Sequence, residues 1–136
     1  MIARLADASD MADVYALRHE VFVVGQDVPE ELERDELDAL SDHAVAIVDD
    51  AVVGTGRLLP DGTVGRMAVS ESVRGLGIGA AVLAVLEERA RERGLPAVEL
   101  HAQVHALGFY ERYGYVPFTD VYLEAGIEHR SMRKVF

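Results

Sequence analysis

The chain has 136 residues, 24 acidic against 13 basic for a formal net charge of −11, and no cysteine. That length suits one domain over residues 1–136, able to bury about two-thirds of the surface its unfolded form exposes. The composition excludes disulfides, thiolate metal sites and a cysteine nucleophile, and its negative field disfavours nucleic acid or an anionic membrane as partner.

Ile2 to Leu5 reads as a short strand, after which Ser9 or Asp10 can cap a helix with Met11, Val14, Tyr15, Arg18, Val21 and Phe22 on one broad face. Glu30, Glu31, Glu33, Asp35, Glu36 and Asp38 then crowd a segment whose only regular apolar points are Leu32, Leu37 and Leu40. Its first reading is a solvated surface segment, its second an acidic wall facing a cationic substrate such as a polyamine, an aminoglycoside or a lysine-like amine. Three strands follow, Ala44 to Val48, Val52 to Leu59 and Thr63 to Val69, punctuated by turns at Asp49-Asp50 and Pro60-Asp61-Gly62. They form an antiparallel meander.

From Leu76 to Arg93 the pattern is helical, with Val82, Leu83, Leu86 and Ala90 inward, Glu87 placed to pair with Arg91, and Gly94 then Pro96 as the stop. Ala97 to Leu100 is a short buried strand, Gln103 to Tyr113 a second helix ending at Gly114, and β-like pieces follow at Tyr115 to Phe118 and His129 to Val135. The longest apolar run, Ala80 to Leu86, is too short to cross a bilayer, so a soluble cytoplasmic protein is expected. The order describes an α/β (α+β) domain with a mixed sheet, in which Thr63–Val69 and Ala97–Leu100 are parallel neighbours and ligands gather at their carboxyl ends.

At that place stands Arg74-Gly75-Leu76-Gly77-Ile78-Gly79, joining a strand to a long helix. Alternate glycines let the backbone approach a ligand, the helix start offers unpaired N–H donors and a positive dipole end, and Arg74 adds a fixed charge. This is the place where an anionic ligand overcomes the global charge. Walker A is excluded because no Gly-Lys-Ser/Thr follows. Gly75 to Ala80 formally fits Gly-x-Gly-x-x-Ala, with Glu99 as a ribose-binding acid, which keeps nucleotide binding by an oxidoreductase as an alternative. Against it, Ser70 to Arg74 separate the strand from the first glycine and no repeated βαβ unit follows.

These residues resemble the GNAT N-acetyltransferases, whose acetyl-CoA motif has the form Gln/Arg-x-x-Gly-x-Gly/Ala after a strand, matched by Arg74, Gly77 and Gly79. Gln103 through Tyr115 resembles the family's downstream Asn-x-x-Ala-x-x-Phe-Tyr-x-x-x-Gly-Phe/Tyr run. The similarity spans the chain and is nearest to a small bacterial ElaA-like branch, through Phe22 to Gln26, Glu33 to Asp38, His43, Gly56-Arg57, Leu100 to Gln103 and Gly126 to Met132. Gln103 stands where the wider family often has Asn, and Gly25 where the branch often has Glu.

The resemblance implies a GNAT-like fold with a cofactor crevice at the strand ends, acetyl-CoA as cosubstrate and an amine as acceptor. It implies direct acetyl transfer in a ternary complex. Met67, Ala68 and Val69 would hold the pantetheine arm and the thioester carbonyl, Arg74, Gly75, Leu76, Gly77, Ile78, Gly79 and Ala80 the diphosphate, and Gln103 and Phe109 would complete the cofactor site. Tyr110 is the candidate general acid for the departing thiolate. Gln26, His101 and His129 would line the acceptor pocket, while His43, His101 and His129 titrate in the range useful to a base. No metal is expected, since even His101 and His105 straddle a strand-to-helix junction. A homodimer is compatible with the sequence, and a non-catalytic acyl-CoA sensor would use the same loop.

Overall fold

In the computed structural model, which describes residues 1–136, eight strands form one sheet in the order β1-β2-β3-β4-β5-β8-β6, with β7 also paired to β8. The strands are β1 (Ile2–Leu5), β2 (Asp42–Val48), β3 (Ala51–Leu58), β4 (Thr63–Val69), β5 (Ala97–Gln103), β6 (Val116–Pro117), β7 (Tyr122–Glu124) and β8 (Ile127–Val135). The helices are α1 (Met11–Arg18), α2 (Glu30–Glu33), α3 (Ile78–Glu92) and α4 (Leu107–Arg112). β1 to β4 pair antiparallel in sequence, as the meander predicts, with Asp49 and Asp50 both at positive φ in the two-residue turn. The predicted parallel pair exists, but β4 and β5 are in register only at Thr63↔Glu99 and Val64↔Leu100. Beyond those residues they part.

A bulge in β4 drives the parting. Its register against β3 shifts between Thr55↔Ala68 and Arg57↔Gly65, so Arg66 and Met67 stand opposite Gly56 alone, and Arg66 takes a φ of +50°. A one-residue insertion reverses every later side chain. Val64 therefore packs in the α3 core before the bulge, whereas after it Met67 and Val69 pack there and Ala68 turns to α1.

α3 covers the first face with Ile78, Val82, Leu83, Leu86 and Ala90, against Ala44, Ala46, Leu58, Val64, Val98 and Leu100. Gly54 and Gly56 admit it closely, since a Cβ on Gly54 would lie 2.5 Å from Ile78 Cγ2 and one on Gly56 2.9 Å from Leu86 Cδ1. α1 and the π-helical turn after it (His19–Val24) cover the second face with Leu17 and Val21. β5 divides its side chains by its period of two. Val98, Leu100 and Ala102 join the α3 core, leaving Glu99, His101 and Gln103 for the second face.

Several boundaries and pairings differ from the sequence reading. Asp10 stands at the N-cap position of α1 as expected but makes no side-chain bond into it; the capping box belongs to the 3-10 turn before it (Ala8–Asp10), where Asp7 accepts from Ser9 N–H and Asp10 accepts from the Asp7 N–H at 2.8 Å. α3 begins at Ile78, because Gly77 in the left-handed region ends the loop there. β5 continues to Gln103 because β8 pairs with it as far as Gln103↔His129, so α4 starts only at Leu107. Glu87 does not take Arg91; it accepts from Tyr115 Oη at 2.7 Å and Lys134 Nζ at 2.9 Å. β7 had no periodic signal of its own, and the β7–β8 turn places Ala125 and Gly126 at positive φ.

Candidate active site

Where β4 and β5 separate, a crevice of about 660 Å³ opens between them. Of the predicted residues, Met67, Val69, Arg74, Gln103, Tyr110, Gln26, His101 and His129 line it. Ala68 does not line it, its side chain being buried against Leu17 and Val21. The loop Gly75 to Ala80 lies outside the crevice wall and leads into α3, and Phe109 packs beside Gly79, Tyr110 and Tyr113. Arg74 folds back so that its Nε donates to Val69 O at 3.1 Å, tying the loop to the end of β4.

Tyr110 reaches the crevice from the α3 face. Its phenol is pushed up to about 12 by burial, so it is protonated throughout the physiological range. The other phenol of the motif differs in role: Tyr115 spends its hydroxyl on Glu87 and is core. Gln26 and Gln103 approach from the second face and close on each other through two amide hydrogen bonds of 3.2 and 3.0 Å, joining the chain after the π-helical turn to the end of β5. Each amide keeps donor and acceptor capacity for a ligand.

A second group on that face includes a residue the sequence reading missed. His101 Nδ1 and Glu124 Oε1 are 2.8 Å apart, and His129 Nε2 is 3.7 Å from Glu124 Oε2. His129 donates from Nδ1 to Ile127 O at 2.6 Å. The Tyr122 ring stacks on His129 at 6.2 Å and meets the His101 ring edge-on at 6.1 Å, its own hydroxyl held at 2.7 Å by Ser131 Oγ. The Glu124 hydrogen bond pushes the His101 imidazole up, and in return His101 pulls the Glu124 carboxyl down. Glu124 sits on an edge strand of three residues, next to a tight turn, with no motif to announce it.

His43 is not in this crevice: it is buried beneath the acidic segment, its Nε2 donating to Asp38 O at 2.9 Å. That segment is solvated in part, with Glu30, Glu31 and Glu36 exposed, but its other acidic residues turn inward. Glu33 and Asp38 are buried, and Arg18 donates to both, at 2.8 Å to Asp38 Oδ1. Arg57 bridges Asp35 and Asp38 at 2.9 Å each. Arg66 donates to Glu33 O at 2.9 Å and Asp35 Oδ2 at 3.3 Å, which holds the strained bulge. Burial raises the Asp38 carboxyl, but hydrogen bonds and charge from Arg18 and Arg57 outweigh it and leave it pushed down to about 2. Three carboxylates, Glu33, Asp35 and Asp38, are thus matched by three guanidiniums, while Glu30, Glu31 and Glu36 stay exposed. The segment is a strap whose Leu32, Glu33 and Asp35 form the crevice rim.

The acetyltransferase (GNAT) domain family matches residues 7–136. The chain is 38% identical over 128 residues to the uncharacterized N-acetyltransferase YjcF of Bacillus subtilis, covering 91% of each chain. Its fold superposes on an acyl-CoA N-acyltransferase from Pseudomonas aeruginosa with a TM-score of 0.85 at 33% identity, covering 98% of this chain and 97% of that one. The crystal structure of Escherichia coli ElaA is similarly near, with a TM-score of 0.86 at 28% identity over 98% and 99% of the two chains. With its sheet opened between a parallel strand pair and its glycine loop at the mouth, this chain belongs to the GNAT acetyltransferases and is an acyltransferase.

Proposed function

We propose that this acyltransferase moves the acetyl group of acetyl-CoA to a primary amine of a small molecule or peptide, by direct attack within a ternary complex. The observation that carries the reading is that one crevice is lined by Arg74, the residue that opens the glycine loop, and also by Gln26, His101 and His129. Absence of cysteine removes one acyl-enzyme nucleophile, which is consistent with direct transfer.

The residues at the mouth fit the coenzyme. Gly75 and Gly77 have φ of +83° and +81° with nothing within 4 Å of where a Cβ would stand, so the backbone is open to a diphosphate. α3 has no side-chain cap, and its first internal bond, Ala81 N–H to Gly77 O, leaves the N–H groups of Ile78, Gly79 and Ala80 ahead of it. β4 beyond Val64 has no strand on its β5 side, which leaves backbone groups of Met67 to Val69 for the pantetheine arm and the thioester carbonyl.

Tyr110 supports the departing sulfur. A phenol near 12 facing a thiol of reference pKa about 8.5 would lose about 5 kcal/mol on complete proton transfer, so its contribution is a hydrogen bond that lowers the thiolate's energy as the C–S bond breaks. The proton that finally rests on sulfur comes from the attacking nitrogen, with Tyr110 between them.

A panel of amines incubated with acetyl-CoA, read by release of the free thiol, tests the assignment. Turnover with at least one primary amine is expected, together with thermal stabilisation by CoA of roughly 2.7 kcal/mol at 100 times its Kd. Stabilisation without thiol release from any amine would make the protein a sensor of acyl-CoA, and stabilisation by NAD alone would overturn both.

A further inference from the structure

Resting on the acetyl-transfer reading, the geometry points to His101 as the general base that takes a proton from the acceptor amine, through Nε2, with Glu124 as the residue that positions it.

The two nitrogens of His101 are not equivalent. Nδ1 lies 2.8 Å from Glu124 Oε1, and a carboxylate can only accept, so Nδ1 carries the proton and the Nε2 lone pair is left for the crevice. The ring is held in that orientation by the edge-on Tyr122 contact at 6.1 Å. His129, the other histidine of the group, is committed: its Nδ1–H is fixed on Ile127 O and its Nε2 is turned toward Glu124, with only 8% of the side chain exposed. His101 keeps 46% of its side chain exposed, which gives the captured proton a route to water. His43 is sealed beneath the strap, and Glu33 and Asp35 are consumed by arginines. His105 also lines the crevice and is exposed, but no hydrogen bond orients its ring, so His101 is the crevice histidine that is both oriented and free.

The proton inventory closes with this assignment. A protonated primary amine carries three hydrogens on nitrogen. One goes to His101 Nε2 and on to solvent, freeing the lone pair that attacks the thioester carbon. As the C–S bond breaks, a second reaches sulfur past Tyr110, and the third stays on the amide. Glu124 stabilises the imidazolium formed in the first transfer, and keeps its charge throughout.

The charged groups around His101 point the same way. Glu124 on β7 and Glu99 on its own strand raise its affinity for a proton, as does Asp61 in the turn before β4. His129 on β8 faces Glu124, Arg133 is engaged with Glu99 at 2.7 Å, and Arg66 acts on Glu124 from β4. Removing the Glu124 charge therefore leaves an imidazole that ionises at lower pH.

The experiment is the pH profile of kcat/KM, measured with acetyl-CoA and the best amine of the panel for wild type, E124Q and H101Q. A shared amine cancels its own ionisation from the comparison. Expected are a fall of about 10²-fold at neutral pH for H101Q, about tenfold for E124Q, and an acidic limb displaced to lower pH in E124Q and absent in H101Q. CoA binding and the thermal midpoint of both variants should stay near wild type, since both side chains are half exposed. NMR titration of the His101 imidazole should show its pKa falling in E124Q. A wild type that turns over while both variants keep the limb in place sinks the base assignment alone. A wild type that releases no thiol with any amine sinks the transfer reading, and the base with it.

Discussion

Arg18 and Asp38 stand 20 residues apart in sequence and 2.8 Å apart in the structure, both almost wholly excluded from water. Asp38 also receives Arg57 from β3, and Arg18 also holds Glu33, so one buried cluster fastens the acidic strap to α1 and to the sheet beside the crevice. Removing one member of such a cluster strands a charge. Arg18→Met should therefore cost about 3–5 kcal/mol of stability, read as a lowered urea midpoint. A loss below about 1 kcal/mol would mean that water reaches the cluster freely.

The same cluster sets an acid limit on the fold. The Asp38 carboxyl lies at about 2 folded against an ordinary 3.8, so its contribution is complete above pH 4 and is lost as pH falls toward 2. The difference is on the order of 2 kcal/mol, at about 1.36 kcal/mol per unit. Unfolding free energy measured from pH 5 to pH 2 should fall accordingly in wild type, and Asp38→Asn, already destabilised, should show a flatter dependence.

Tyr110→Phe keeps the ring and its packing against Phe109 and Tyr115 and deletes only the hydroxyl. CoA affinity should stay within a few fold of wild type while kcat falls at least tenfold. Unchanged kcat in a thiol-release assay would remove Tyr110 from the chemistry.

Arg74→Ala removes an exposed charge at the crevice mouth and its bond to Val69 O. CoA binding should weaken by about tenfold at low ionic strength, and the gap should narrow with added salt. Calorimetric titration at two salt concentrations decides it; equal affinities in both would show that the charge is not used.

Gly56→Ala probes the seat of α3. The added Cβ would meet Met67 Sδ at 2.6 Å and Leu86 Cδ1 at 2.9 Å, forcing either the helix or the bulged part of β4 to shift. A loss of about 1–3 kcal/mol is expected in the thermal midpoint, with reduced CoA affinity because Met67 lines the crevice.

The local rules of the chain decided the meander with its Asp49-Asp50 turn, α3 with its Gly94 stop, the parallel pair β4 and β5, and the glycine loop between them. Each follows from alternation, helical period or a residue suited to positive φ within a few positions, which a single sequence displays. Tyr110 and the glycine loop were legible because their motifs are contiguous.

What only tertiary structure decided depends on partners far along the chain. The acidic strap is invisible as a buried cluster because Glu33, Asp35 and Asp38 acquire their meaning from Arg18, Arg57 and Arg66, which reach them from α1, β3 and the bulge. Glu124 likewise becomes a partner for His101, 23 residues away, only once β8 brings β7 beside β5. Composition counts charges and spacing orders them along the chain. Which of them neutralise one another, and which stay free to act, is set by desolvation and by distances that exist only after folding.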